Sequence, residues 1–463
     1  MAAILACGYV LLSAQSGARQ AGPALKPLHE LESGEGVFAY SRISPDGRFL
    51  AYASELQRQR GSPIRTIKVI DLTRGTLTFS EPGIDAYWSP DGTRIIFLSY
   101  REPTRPAVAI WNMDTRATTR RIAPTALGDY YSWALRDAQD LILTIRGRYF
   151  YLDGTQARLP AGSIVSCPGI GTGDRPLISK DGRRVTVFVD GRLVVRNLTD
   201  CDDIIETGVL AAKADFSWDG RYVAYHAPKL DASGYEIQVL DPERRTVRRV
   251  TDLPGSSFFP SWTADGRLSF RYDSEDYHGF LMASDVLAAE ELPLASVTNG
   301  LEQRVAWEDL FLDSLPAPRI AVVLVWATWS AHSSDALLAL HQFASDWPGV
   351  AVGTAVDIGS RRGDVVRVRS AFDVRLPELA VRPSLGWSAR TAAQMPTTLM
   401  FVDGALEDER LGAQTREELS TWVQQFTASV ESPRAQRSRG RVLVAPMTTG
   451  RPASFRQAYR PGS

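Results

Sequence analysis

Cysteine is scarce in this chain of 463 residues, which has only Cys7, Cys167 and Cys201. None of the three lies in a C-x-x-C pattern, so the cysteines indicate no redox centre. If the protein is exported, Cys167 and Cys201 could form a disulfide, which is typically worth about 2–4 kcal/mol. Two buried thiols are the alternative interpretation.

An excess of charge of either sign is also absent. The chain has 52 Lys and Arg against 53 Asp and Glu, which gives a formal net charge of −1. Without a basic face, nucleic-acid binding is not expected. The five histidines show no metal-ligand spacing, so we predict neither a metal nor another cofactor. A hydrophobic content of 44% is typical of a globular protein, and the length exceeds that of one ordinary domain.

The N-terminus lacks the positive charge that usually precedes a signal peptide's apolar core. The apolar stretch from Ala2 to Ser13 is nevertheless too short to span a bilayer and suits such a core. We therefore interpret 1–22 as a signal peptide and predict a periplasmic or secreted protein. A disordered or packed N-terminal segment is the alternative. Lipidation at Cys7 is disfavoured, because the apolar run before it is very short.

A short phrase, S-x-D-G followed by strand-forming residues, recurs along most of the chain. Clear copies begin at Ser44, Ser89, Ser179, Ser217 and Thr263, and a degenerate copy without the glycine spans Trp133 to Ile142. The aligned aspartates recur roughly every 45 residues, the length of a four-stranded propeller blade. We expect each Asp-Gly pair to supply the positive φ angles of a tight turn. Six units predict an all-β, six-bladed propeller over 36–290.

The phrase resembles the repeat of TolB-like six-bladed β-propellers, which is also found in prolyl-oligopeptidase propellers. The resemblance implies a central channel and a loop-rich face that hold partners. It implies the fold much more strongly than any particular function.

After about residue 290 the Asp-Gly rhythm stops. We interpret 291–320 as a linker or entry segment and 321–428 as an α/β domain, which could begin as early as 300. Beyond it, 429–463 is rich in Arg, Pro, Ser and Gly. That composition predicts a disordered basic tail, which could contact anionic lipid or an acidic partner.

The α/β segment carries two motifs. An apolar strand ends in Trp326-Ala327-Thr328-Trp329 and leads into an amphipathic helix, and Met395-Pro396-Thr397 opens a later strand. The pair resembles the TlpA/ResA-like branch of the thioredoxin superfamily, where C-x-x-C follows the strand and a cis-proline faces it. Here Ser330-Ala331-His332-Ser333 replaces C-x-x-C. A serine hydroxyl stays protonated and cannot form a mixed disulfide. We expect Ser330 and Ser333 to cap the helix instead.

The resemblance also implies a peptide groove, because in such proteins the residue before the cis-proline pairs its backbone with an extended substrate. The candidate binding residues are Trp329, Ser330, Ala331, His332, Ser333, Met395, Pro396 and Thr397. A vestigial groove is the alternative. No catalytic residue is predicted, since Ser330, His332 and Asp335 are crowded on one helix start and make a poor hydrolytic triad.

These patterns favour a non-catalytic exported binding or scaffold protein with a protein or peptide partner. One alternative is a TlpA/ResA-type thiol-disulfide oxidoreductase-related protein that takes its sulfur from a partner or from Cys167 and Cys201. Another is a propeller-associated hydrolase, although Gly386-Trp387-Ser388-Ala389-Arg390 lacks the closing glycine of a nucleophile elbow. The sequence leaves the oligomeric state open.

Overall fold

The computed structural model describes residues 23–32, 35–56, 64–99, 107–122, 131–135, 141–145, 148–153, 156–158, 174–180, 183–189, 192–197, 200, 203–229, 233–298, 319–330, 332–356, 359–379 and 395–431. The three cysteines, the predicted signal peptide and 432–463 lie outside these residues. Among the helices within them, none is long and apolar enough to cross a membrane.

Short antiparallel strands make up most of the described residues between 24 and 284. They are β1 (Ala24–Glu30), β2 (Gly36–Ile43), β3 (Phe49–Leu56), β4 (Ile64–Asp71), β5 (Thr76–Trp88), β6 (Arg94–Ser99), β7 (Ala107–Asn112), β8 (Thr118–Ile122), β9 (Tyr131–Leu135), β10 (Leu141–Ile145), β11 (Arg148–Asp153), β12 (Gln156–Arg158), β13 (Asp174–Ile178), β14 (Arg184–Val189), β15 (Arg192–Asn197), β16 (Ile204–Leu210), β17 (Ala212–Phe216), β18 (Val223–Pro228), β19 (Tyr235–Asp241), β20 (Thr246–Arg249), β21 (Ser256–Trp262), β22 (Leu268–Asp273) and β23 (His278–Ser284).

These strands form six four-stranded units that we call blades one to six. Strands β2 to β5 make blade one, and the second half of β5 with β6, β7 and β8 makes blade two. Blades three, four and five are β9 to β12, β13 to β16 and β17 to β20. Blade six combines β21, β22 and β23 with the N-terminal strand β1, which pairs antiparallel with β23.

The first strand of each blade contacts the first strand of the next, and the cycle closes from β21 back to β2. This ring of blades is a β-propeller. Strand β1 lies before the range 36–290 that the repeats delimit, because it belongs to no Asp-Gly turn. The degenerate copy supplies β9 and β10, which pair with Leu141 opposite Leu135.

The S-x-D-G turns show why the phrase recurs. Ser44 Oγ donates to Asp46 Oδ1 at 2.5 Å and accepts from the Phe49 amide at 2.8 Å. Ser89 and Ser217 make the same pair of bonds. Gly47 has a positive φ of 75° and Asp46 does not, so our expectation that both turn residues adopt positive φ is wrong. The aspartate instead folds its carboxylate back onto the serine.

The α/β region follows. One more strand, β24 (Glu291–Pro293), pairs with β20 at the edge of blade five and is followed directly by helix α1 (Leu294–Thr298). The remaining elements are β25 (Ile320–Trp326), α2 (Ser333–Asp346), β26 (Ala351–Val356), α3 (Arg362–Ala371), β27 (Glu378–Leu379), β28 (Thr397–Val402), β29 (Ala405–Leu411) and α4 (Arg416–Glu431).

One mixed sheet organises this region, with the strand order β27-β26-β25-β28-β29. Strands β25 and β26 are parallel, whereas β28 runs antiparallel to β25. Every residue of β25 is buried, as its continuous apolar sequence predicts for a central strand. Helix α4 belongs to a separate compact unit, and its Leu419, Trp422 and Val423 are buried.

Candidate functional site

The two motifs of the α/β region meet at the ends of two neighbouring strands. The loop after β25 carries Trp329 and Ser330, and Met395 and Pro396 lead into β28. Ser330 Oγ donates to the Met395 carbonyl oxygen at 2.5 Å in a buried contact. The Met395–Pro396 peptide bond is cis, the geometry expected from the sequence. Ala331 lies outside the described residues.

The side chains of Ser330 and Ser333 bond to backbone groups outside helix α2 and do not cap it. Its N-cap residue is His332, which makes no side-chain cap hydrogen bond. Ser333 Oγ accepts from the Ala327 amide at 3.1 Å, tying the helix start back to the end of β25. The capping role expected for Ser330 and Ser333 is therefore wrong, because both hydroxyls serve the loop instead.

Most of the candidate groove residues are buried. The exposed fraction is 2% for Trp329, 6% for Ser330 and 3% for Met395. Ser333, Pro396 and Thr397 are also buried, and His332 is half-buried. The structure thus brings the predicted residues together, and it puts their side chains in the protein interior.

Trp329 is buried against the propeller. Its ring stacks on Phe258 at 5.1 Å between centroids, with an interplanar angle of 30°. Tyr235 and His226 approach edge-on at 5.2 Å and 5.6 Å, and Phe259 lies at 6.4 Å. We call Tyr235, Phe258, Phe259 and His226 the aromatic cage. The loop that carries the two serines therefore faces the propeller.

Two further contacts join the propeller to the α/β region. Gly359, before α3, lies so close to the cage that an added Cβ would be 2.8 Å from both Phe258 Cζ and Tyr235 Cδ2. Arg65 of β4 and Asp335 of α2 form an ion pair at 3.5 Å. Because Asp335 is turned toward Arg65 and Ser330 toward Met395, the geometry gives no support to a Ser330–His332–Asp335 triad.

A buried ionic network lies behind the cage. The guanidinium of Arg271 lies 5.9 Å from the Phe258 ring centroid and pairs with Asp273 at 2.6 Å. His278 Nδ1 lies 2.6 Å from the same carboxylate. Burial alone would raise the pKa of Asp273, but the charge of Arg271 and the hydrogen bond with His278 hold it below its usual value. The network fixes β22 and β23 beneath the cage.

A second buried ionic cluster joins the first strands of several blades. Asp215 in blade five pairs with Arg42 of blade one at 3.2 Å and with Lys180, which follows β13 of blade four, at 3.6 Å. Its other oxygen accepts from the Trp262 amide of blade six at 2.9 Å. Burial lowers the pKa of Lys180, while Asp215 opposes this shift and Arg42 adds to it. One carboxylate thus links four blades.

The comparisons with known proteins bear on the fold only. No protein-family model matches the chain, and no curated protein matches it. Among solved structures it is similar to TolB from Acinetobacter baumannii, at 18% identity over 55% of this chain and 65% of that one, with a TM-score of 0.34. The chain therefore spans less than two thirds of that structure's length.

Two other similar structures cover different shares of the chain. The β-propeller domain of the Trilobed protease from Pyrococcus furiosus is 12% identical over 56% of this chain and 83% of its own, with a TM-score of 0.35. StoA from Bacillus subtilis is 17% identical over 23% of this chain and 83% of its own, with a TM-score of 0.19. The propeller assignment rests on the strand pairing described above.

The aromatic cage was not predicted from the sequence. Phe258-Phe259-Pro260 is an aromatic pair at the start of an inner strand, a pattern equally typical of a propeller core. Within the described residues, no group of three His, Cys, Asp or Glu side chains could hold a metal ion.

Proposed function

We propose that this chain is a non-catalytic exported binding or scaffold protein that recognises a protein or peptide partner. It combines a TolB-like propeller with a thioredoxin-like α/β domain that has no redox activity. The observation that carries the non-catalytic part of the proposal is the buried hydrogen bond from Ser330 to the Met395 carbonyl. That carbonyl precedes the cis-proline, where the resembled family receives substrate backbone, and here it already has an internal donor.

The chemistry of the loop supports the absence of turnover. A hydroxyl at the position of the attacking sulfur stays protonated near neutral pH and cannot open a disulfide. Ser330 is only 6% exposed, so a disulfide substrate could not reach its hydroxyl in this arrangement. Neither attack nor resolution is available to this pair of serines.

The partner surface that we propose is the propeller face formed by the S-x-D-G turns. In β18 the turn precedes Val223, whereas the cage residue His226 lies toward the other end of the strand. The turn face is therefore opposite the face that contacts the α/β region. Between blades one and two it carries an open cleft of about 530 Å³, whose lining includes Asp46, Arg74 and Arg116. Such mixed charge suits a polar peptide segment.

Enzyme assays test the non-catalytic part of the proposal. Insulin-disulfide reduction and a peptidase panel with the purified mature protein should both give background rates. Ser330→Ala should behave as the wild type in both assays. Turnover that is abolished by Ser330→Ala or by Cys167→Ser would overturn the proposal.

Affinity capture tests the binding part. The full chain, immobilised and incubated with a periplasmic extract, should retain a specific protein after cross-linking. Arg74→Glu with Arg116→Glu reverses two charges in the cleft and should abolish that capture, whereas Arg362→Glu on α3 should leave it intact. Failure of the wild type to capture any partner, or equal capture by all three proteins, would contradict the proposed surface.

A further inference from the structure

The aromatic cage is a feature of the propeller for which neither the blade repeat nor the proposed function accounts. We infer that it is a binding site for an aromatic side chain, shaped for an indole, and that Trp329 of the α/β region fills it. The inference does not depend on whether the chain is catalytic. It implies that the loop after β25, through Trp329, holds the α/β region against the propeller.

The ring geometry is that of specific aromatic recognition. Aromatic pairs prefer offset-stacked or edge-to-face arrangements with centroids about 4.5–7 Å apart. Trp329 makes one contact of the first kind, with Phe258. It makes edge contacts with Tyr235 at 72° and with His226 at 87°.

The cage walls also support one another without Trp329. Tyr235 and Phe258 are 5.3 Å apart, and His226 lies 5.5 Å from Phe258. The Phe259 amide donates to His226 Nδ1 at 3.4 Å. Phe259 has a φ of 53° at a β-bulge of its inner strand, and Asp85 and Lys213 have φ of 54° and 53° at the corresponding bulges of blades two and five. The walls are therefore set by the propeller itself, and a preformed site binds with little ordering cost.

The α/β region is shaped to match. At Gly359 any side chain would collide with Phe258 and Tyr235. The absence of a Cβ therefore allows the backbone before α3 to pack directly against the cage. Trp329 is only 2% exposed in this structure. Removing its side chain should leave an enclosed apolar cavity, because packed protein interiors relax only partly around a deletion. Such cavities bind free aromatic molecules of matching size.

Chemical rescue with indole tests this inference on the full chain. Trp329→Ala should bind indole with a dissociation constant on the order of 1 mM or tighter. At ten times that constant, indole should raise the thermal midpoint of the variant by about 2–4 °C. The wild type should not respond, since its cage is full. Cyclohexanol, an aliphatic probe, should bind Trp329→Ala at least tenfold more weakly than indole.

Two controls locate the binding. Trp347→Ala removes a half-buried tryptophan that stacks on Phe343 at 6.0 Å and should create no indole site. Trp329→Ala combined with Phe258→Ala should lose at least tenfold in indole affinity. A folded Trp329→Ala that binds no indole, or that binds cyclohexanol equally well, would overturn the inference.

A second variant covers the case in which Trp329→Ala does not fold. Phe258→Ala enlarges the cage beside an intact indole and should bind benzene, with a rise in its thermal midpoint that the wild type does not show. No response of folded Phe258→Ala to benzene would then contradict a preformed cage.

Discussion

The serines of the propeller's S-x-D-G turns and Ser330 of the α/β region make different kinds of hydrogen bond. In the propeller, Ser44 bonds to Asp46 and to the Phe49 amide, all within one turn. In the α/β region, Ser330 bonds to Met395, 65 residues away. Local bonds of the first kind are repeated from blade to blade, whereas each long-range bond, including those of Ser41 and Ser261 inside the propeller, joins one particular pair of segments. We therefore expect substitutions at long-range contacts to cost much more than substitutions in the repeated turns.

Two aspartates four residues apart on blade five provide the strongest test of this comparison. Asp215 is 1% exposed and links Arg42 and Lys180. Asp215→Ala should lower the free energy of unfolding by about 3–5 kcal/mol, because it leaves buried cations without their carboxylate. Among the described residues, Asp219 bonds only within its own turn. Asp219→Ala should therefore lower the free energy of unfolding by only about 1 kcal/mol. Urea unfolding of both variants measures the difference.

Equal losses in the two aspartate variants would break the comparison. They would mean that each turn contributes to stability as much as the cluster that joins four blades. A larger loss in Asp219→Ala would have the same consequence.

Two glycines near the start of α3 give a second, smaller test with opposite signs. Gly359→Ala should cost about 1–3 kcal/mol, because the new methyl group would collide with two cage rings. Gly363 lies within α3, where an added Cβ meets nothing within 4 Å. Gly363→Ala should therefore stabilise the protein by about 0.5–1 kcal/mol through helix propensity. Thermal or urea unfolding distinguishes the two signs, and a Gly359→Ala variant as stable as the wild type or more stable would refute the close approach at Gly359.

The propeller could be predicted from the sequence because the residues that form each turn are neighbours in the chain. Serine, aspartate and glycine lie within four positions, and their turn hydrogen bonds reach no further than the fifth residue after the serine. Strand β1 could not be placed in the same way. It pairs with β23, more than 240 residues later, and nothing in Ala24–Glu30 records that partner. Closure of the ring is a property of the assembled blades.

The loop of the α/β region could be predicted only in part. The resemblance brought Ser330 and Met395 to one place and indicated a cis-proline, since both follow from a known arrangement of strands. It could not indicate that Trp329 packs on the propeller, because the cage residues lie on three different strands, 70 or more residues earlier. From the sequence we expected the serines to cap helix α2. In the structure Ser330 bonds to the Met395 carbonyl and Ser333 accepts from the Ala327 amide instead.

The smallest expected effect concerns Asp71, at the end of the third strand of blade one. Its carboxylate bonds to the Arg48 guanidinium at 2.8 Å and to Thr73. These bonds, that of Arg48 first, hold its pKa well below the usual range. In blade two the same position is Asn112, whose side-chain oxygen accepts from the Thr115 amide at 2.8 Å. A neutral side chain therefore already performs the turn's structural role elsewhere in the ring.

Asp71→Asn should consequently fold with a small loss of stability near neutral pH. A carboxyl whose pKa is lower in the folded than in the unfolded state contributes stability above the unfolded value, about 3.9. That contribution disappears as the pH falls through the folded value. Unfolding free energies measured from pH 6 to pH 2 should thus decline less steeply in Asp71→Asn than in the wild type. Arg48→Gln removes the cause of the shift and should flatten the same acid limb.

Because Arg48 is partly exposed, salt should weaken the effect. Parallel acid limbs in all three proteins would show that this turn contributes through its geometry alone, without its charge.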